Sequence, residues 1–222
     1  SIELGLYLGL TGDRIKGKEL AVTGVSTHYV NQENFEKVKK ILIEQIDENI
    51  NKEKLSQILS ANTDYTHSSE KFAFPNYELI KYVFRMDSIE EVLQRLENVV
   101  NSRKDTNDEM WKDWMAEEYN QKWAKKAKDS IYSSSPLSIN VIFELLRRGK
   151  EMTSIEEAFD IEAQIVSGFM EDSDFFEGVR ALLVDKDKNP KWKHSGITQV
   201  DKEEMVRQYF ERSELIDADP NN

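Results

Sequence analysis

Residues 4–30, LGLYLGLTGDRIKGKELAVTGVSTHYV, decide how the rest of the chain is read. Apolar residues at Ile2, Leu6, Tyr7, Leu8 and Leu10 give the start a helical character, and no capping segment precedes them. The chain therefore reads as the back part of something longer. Gly12, Gly17 and Lys18 satisfy the G-x-x-x-x-G-K part of a phosphate-binding loop. The next position needs a Ser or Thr hydroxyl for magnesium, and here Glu19 would set a carboxylate beside phosphate oxygens. Such a loop also follows a buried strand, whereas this one follows a helical run, so nucleotide binding is rejected. After Gly24, VSTHYV is short and β-branched and reads as the one extended segment.

Outward from this stretch, helical signals dominate. Only 9 Gly and 4 Pro punctuate 222 residues that are 32% charged, which favours long amphipathic helices over strands and turns. In SIEEVLQRLENVV, Ile89, Val92, Leu93, Leu96, Val99 and Val100 follow the helical period, and Ser88 with Glu91 forms a capping box. Phe35, Val38, Leu42 and Ile46 repeat the pattern. Trp111, Trp114, Met115, Tyr119 and Trp123 make an aromatic stripe suited to helix contact. Ser135 and Pro136 start a further helix that Gly149 should stop. Thr153 with Glu156 is expected to box the next, whose face uses Ile155, Ala158, Phe159, Ile165, Val166 and Phe169. Asp174 with Glu177, and Asp201 with Glu204, cap the last two. Residues 61–76 and 101–108 read as loops.

Composition narrows the chemistry. A net charge of -12 argues against a nucleic-acid surface, and the basic runs KWAKKAK and LLRRGK read as solvated helix faces. There is no Cys, hence no disulfide, no thiolate zinc site and no thiol nucleophile. No apolar run is long enough to span a membrane. Asp185, Asp187 and Asn189 mimic the start of a calcium loop, but Pro190 replaces its required Gly and Gly196 its closing Glu. His28, His67 and His194 lack metal-ligand spacing, and His28 reads as a hydrogen-bonded structural residue. Glu162 falls on the apolar face of its helix, where it would need a charged or amide partner. No nucleophile, base and oxyanion donor come together in the sequence.

Two separated segments carry a resemblance. Residues 4–30, with their L-T-G turn and T-H-Y-V ending, resemble the stretch that follows the catalytic loop in crotonase-superfamily proteins. SPLSINVIFELLRRG followed by DFFEGVRALLVDKDKNPKW resembles their C-terminal helices, and the E-G-V-R-A-x-L-V-D-K-D-x-x-P-K-W run points to the 3-hydroxyisobutyryl-CoA hydrolase branch. The resemblance implies thioester hydrolysis in valine breakdown, through an oxyanion hole and carboxylates that lie upstream of Ser1. No catalytic residue is therefore expected in this chain. It implies a mitochondrial location, no cofactor beyond the coenzyme A of the substrate, and no metal. It also carries one ligand contact over, placing Lys186 toward the 3′-phosphate and adenine end of CoA. The aromatic that some crotonases bring to the adenine falls near Val166 here. Leu96 to Ser135 is longer than usual for the branch and holds three of the four Trp residues.

The expected fold is mainly α, the C-terminal helical region of a crotonase α/β spiral with one short strand remnant. Residues 1–31 would end the spiral core and 32–222 would form the helical region. Leu4, Leu6 and Leu10 are expected to be left exposed, as faces that pack on a core outside this chain. The expected partners are an acyl-CoA substrate through the full protein and an N-terminal crotonase half or a second copy, with no membrane and no nucleic acid. The alternatives are a structural component of the mitochondrial ribosome's small subunit derived from this branch, or a different crotonase such as a hydratase or isomerase.

Overall fold

A computed structural model describes residues 1–45, 50–63, 65–66, 77–85, 87–101 and 118–211. The helices among them are α1 (Ile2–Thr11), α2 (Lys18–Val22), α3 (Gln32–Gln45), α4 (Lys52–Asn62), α5 (Tyr77–Phe84) and α6 (Ile89–Val100). They continue with α7 (Glu118–Ser133), α8 (Pro136–Gly149), α9 (Ile155–Glu171), α10 (Ser173–Val179) and α11 (Lys202–Phe210). A π-helical turn, Arg180–Val184, prolongs α10. Trp111, Trp114, Met115, Ile46, His67 and residues 102–108 lie outside the described residues. The fold is mainly α, as expected.

The chain divides into two compact units. The smaller one, Ser1 with Arg14–Glu78, holds α2 to α4 and the strand β1 (His28–Tyr29). That strand falls within VSTHYV and pairs antiparallel with β2 (Tyr65–Thr66), in a segment read as loop. The His28 imidazole shares hydrogen bonds with Thr27 Oγ1 at 2.9 Å and Ser60 Oγ at 3.0 Å, the structural role expected for it. In the rejected phosphate loop, the Glu19 carboxylate accepts from Lys16 N at 2.9 Å and so closes the turn itself. Of the apolar face read for α3, Val38 is buried and Phe35 is exposed.

In the larger unit, Ile2–Asp13 with Leu79–Asn222, the described residues bury side chains in two places. In the first, α6 lies on α7, burying Ile89, Val92, Leu96 and Val99 against Ala124, Ala127 and Ile131. Ser88 caps α6 by accepting from Glu91 N at 3.3 Å, so the start of this helix follows its sequence. In the second, α9 and α11 pack together beside α8, around Leu137, Val141, Ile165, Met205 and Tyr209. Helix α1 packs on α7 and α8. At Gly9 an added Cβ would come within 3.0 Å of Ile142, so glycine sets how closely α1 meets α8.

That packing corrects the expectation of an exposed N-terminal face. Leu4, Leu6 and Leu10 are all buried inside this unit. Tyr7 joins them, edge-on to Phe84 and accepting from Trp123 Nε1 at 3.2 Å. Its hydroxyl donates to Asp13, whose other oxygen holds Lys126 Nζ at 3.0 Å. Burial, and then the Asp13 bond, pushes the Tyr7 phenol well above its ordinary value.

Helix α9 departs furthest from its expected face. Ile165 and Gly168 are buried and Ile161 and Phe169 partly so, whereas Ile155, Phe159 and Val166 are exposed, Phe159 by 62%. Glu162 shares the outer stripe and faces solvent, so no buried charge has to be compensated. The caps shift too. Ser154 rather than Thr153 caps α9, accepting from Glu157 N at 3.2 Å, while the Glu157 carboxylate reaches back to Thr153 N at 2.8 Å. Asp172 rather than Asp174 caps α10. Ser135 and Asp201 cap α8 and α11 as read.

Candidate functional site

The second resemblance segment builds a site around three chain crossings in the larger unit. Helix α7 ends in three serines. Ser133 and Ser134 return their hydroxyls to Ser130 O, at 2.9 and 3.0 Å, and so satisfy a terminal carbonyl. Ser135 caps α8 by accepting from Ser138 N at 3.1 Å, and its own proton goes to Asp174 Oδ2 at 2.6 Å. Asp174 is 3% exposed, and its second oxygen accepts from Lys193 N at 2.8 Å. Lys193 Nζ meets the equally buried Asp172 at 3.3 Å. A buried carboxylate is tolerable only when so bonded. Trp192 donates from Nε1 to Ser133 O at 3.4 Å, and its ring lies over Gly178, where a Cβ would approach it to 3.4 Å.

Arg180 organises the loop between α10 and Trp192. Its Nε and Nη2 bond both oxygens of Glu177, at 2.9 and 2.8 Å, in a fork. Its Nη1 bonds Asp185 at 2.6 Å and Asp187 at 2.7 Å, and Nη2 also reaches Asn189 O at 3.4 Å. The Arg180 fork, and then Lys191 N, pulls the Glu177 carboxyl down to about 2. Asp187 is lowered by Arg180 and by Asn189 N, and Arg180 itself is raised by its carboxylates. Asp187, read as part of a failed calcium loop, is thus a ligand of an arginine. No group of three metal-ligating side chains occurs among the described residues.

Wrapped round Arg180, the loop takes an unusual backbone. Lys186 and Lys188 have φ of 56° and 52°, a left-handed conformation that costs a non-glycine residue roughly 1 kcal/mol or more. Lys188 N is fixed to Ala181 O at 3.0 Å. A cleft of about 650 Å³ lies between α1, α8 and α10, with Gly9, Ile142, Leu182, Leu183, Lys188 and Trp192 on its walls. Its walls are mostly apolar, and Lys188 is the single cation among its lining residues. Lys186 is exposed on the same loop but does not line the cleft. Such a site can hold an amphipathic anion; the buried Ser135–Asp174 pair is a structural bond. Sequence reasoning missed Lys188 and Arg180 as site residues, although both lie in the run from Glu177 to Trp192 that carries the resemblance.

Comparison with known proteins agrees with this architecture. A carnitinyl-CoA dehydratase from Mycobacterium thermoresistibile superposes over 93% of this chain and 51% of its own, with a TM-score of 0.67 at 22% identity. An enoyl-CoA hydratase from Rhodobacter sphaeroides superposes over 94% of this chain and 54% of its own, with a TM-score of 0.65 at 22% identity. The fold is that of part of a crotonase. The profile of the enoyl-CoA hydratase/isomerase family matches residues 1–210, and the chain belongs to that family. The mitochondrial 3-hydroxyisobutyryl-CoA hydrolase of Dictyostelium discoideum is 35% identical over 93% of this chain and 48% of its own. That of Danio rerio is 32% identical over 94% and 49%, and 3-hydroxyisobutyryl-CoA hydrolase 1 of Arabidopsis thaliana 30% over 96% and 52%. The chain spans about half the length of the curated relatives it matches.

Proposed function

We propose that this chain is the C-terminal part of an acyl-CoA thioester hydrolase that releases 3-hydroxyisobutyrate and CoA in valine breakdown, in mitochondria. The reading is carried by the run from Glu177 to Trp192, which resembles that branch and folds here into the end of α10, a π-helical turn and a loop tied to Arg180 beside an apolar cleft. The family membership supports CoA-thioester chemistry, and the names of the relatives support the acyl group and the location. In this reading Lys186 meets the 3′-phosphate end of CoA, as an ammonium on an exposed loop can. The attacking and oxyanion-stabilising groups belong to the portion that the resemblance places before Ser1.

The proposed partner is that catalytic portion or a second copy of the chain. Support comes from the outer stripe of α9, where Ile155, Phe159, Val166 and Met170 are exposed, and from Phe176 of α10, which is exposed too. The test is hydrolysis of 3-hydroxyisobutyryl-CoA, followed by free thiol release. Turnover by the full-length protein is expected, together with none by residues 1–222 alone and a modestly raised KM in Lys186→Ala. Turnover by the 222 residues alone would overturn the placement of the catalytic groups. A full-length protein that turns over an enoyl-CoA instead would return the chain to the hydratases.

A further inference from the structure

In Asp185-Lys186-Asp187-Lys188, Lys186 stands between two acids and Lys188 follows one, and in a free loop those acids would compete with any incoming anion. The structure removes that competition. Arg180 takes Asp185 and Asp187 on one nitrogen, at 2.6 and 2.7 Å, and Glu177 on its other edge. Among the described residues, neither Lys186 nor Lys188 has an ion pair, although Asp187 is the sequence neighbour of both; the acids pair with Arg180 instead. Their backbone is held left-handed, with Lys188 N pinned to Ala181 O and Asp185 N to Arg180 O. An observed backbone strain of this kind, kept in place by surrounding bonds, points to a function for the strained residues.

We infer that Arg180 is a positioning residue that withdraws the two aspartates so that Lys188, at the cleft wall, joins Lys186 as a second contact for a phosphate group of the bound CoA ester. The inference rests on the CoA reading above and adds to it both a residue and a device. Lys186 alone would be an exposed point charge. Two lysines two residues apart on a fixed loop make a pre-organised anion site, which loses less rotational and loop entropy on binding.

The experiment compares binding of CoA and of 3′-dephospho-CoA to the full-length protein by titration calorimetry. Wild type is expected to prefer CoA. Lys188→Ala and Arg180→Gln should each weaken CoA about threefold to tenfold, the size of one partly screened charge contact, and leave 3′-dephospho-CoA within about twofold. Adding Asp185→Asn and Asp187→Asn to Arg180→Gln should restore the CoA affinity, which a merely structural role for Arg180 does not predict. Absence of that rescue, or equal weakening of both ligands, overturns the positioning role. Lys188→Ala, at an exposed position, decides the contact even where Arg180→Gln fails to fold, and an unchanged preference for CoA there overturns it. A wild type that binds both ligands equally sinks the CoA reading itself. A preference abolished only by Lys186→Ala leaves that reading standing and removes this inference.

Discussion

Replacing Ser135 with Ala removes two things at once, and the structure separates them. The hydroxyl accepts from Ser138 N at the start of α8, a cap worth about 1 kcal/mol. It also gives its proton to Asp174 Oδ2, for which it is the donor at 2.6 Å in a buried position. A buried acceptor that loses its donor adds about 1–3 kcal/mol. The expected cost is therefore about 2–4 kcal/mol, roughly 5–15 °C in Tm for a chain of this length. Chemical denaturation followed by Trp192 fluorescence reads the same region, because that indole bonds to Ser133 O. Asp174→Ala and the double variant complete the cycle, and the pair should couple by about 1–3 kcal/mol. A Ser135→Ala cost no larger than the cap alone, with an additive double variant, would refute the claim that the Ser135–Asp174 bond ties α8 to α10.

Leu10→Ala should destabilise by about 2–5 kcal/mol in urea unfolding, since Leu10 is almost fully buried; an exposed face would give nearly no change. Glu177, held at about 2 by Arg180, has a folded pKa below its ordinary 4.5, so its contribution is complete above about 4.5 and is lost as the pH falls toward 2. Acid titration of Trp192 fluorescence should show the loop loosening in that window, and Glu177→Gln should abolish the transition. Gly149→Ala, where a Cβ meets nothing, should leave the melting temperature unchanged or raise it slightly. Gly168→Ala should lower stability by about 1–3 kcal/mol, because its Cβ would sit 2.7 Å from the Tyr209 ring; a neutral result would mean that α9 and α11 are not in close contact.

The helices themselves were legible because their signals are local. Period, N-cap and stop all lie within one turn of the residues they govern, as at Ser88 and at Ser135-Pro136. The segment 177–192 was legible as a motif and not as a mechanism. Glu177, Asp185 and Asp187 lie three, five and seven residues from Arg180, and four lysines in Lys186–Lys193 offer them competing partners. Left-handed turns at Lys186 and Lys188 accompany the pairing of these acids with Arg180, and nothing local in the sequence announces either. The alternation D-K-D-K suggests neighbours pairing with each other, and the fold gives every acid to the arginine.

Which face of a helix turns inward is the harder matter, and here one type of residue carried a signal that apolar periodicity did not. Helix α9 has two apolar stripes, Ile161, Ile165 and Phe169 on one side and Ile155, Phe159, Val166 and Met170 on another. Hydrophobicity ranks the second at least as high, yet the first is inside. What distinguishes the first is Gly168, one turn from Ile165, which lets the Tyr209 ring approach closer than any side chain would allow. Helix α1 follows the same rule. Gly9, at the edge of the face that buries Leu4, Leu6 and Leu10, lets α1 approach Ile142 of α8. Close approach multiplies weak dispersion contacts, so a face with a glycine can outcompete a more apolar one without it. The reading that assigned Leu4, Leu6 and Leu10 to an exposed face counted their hydrophobicity and passed over the glycines between them. The outer stripe of α9 then owes its exposure to that competition.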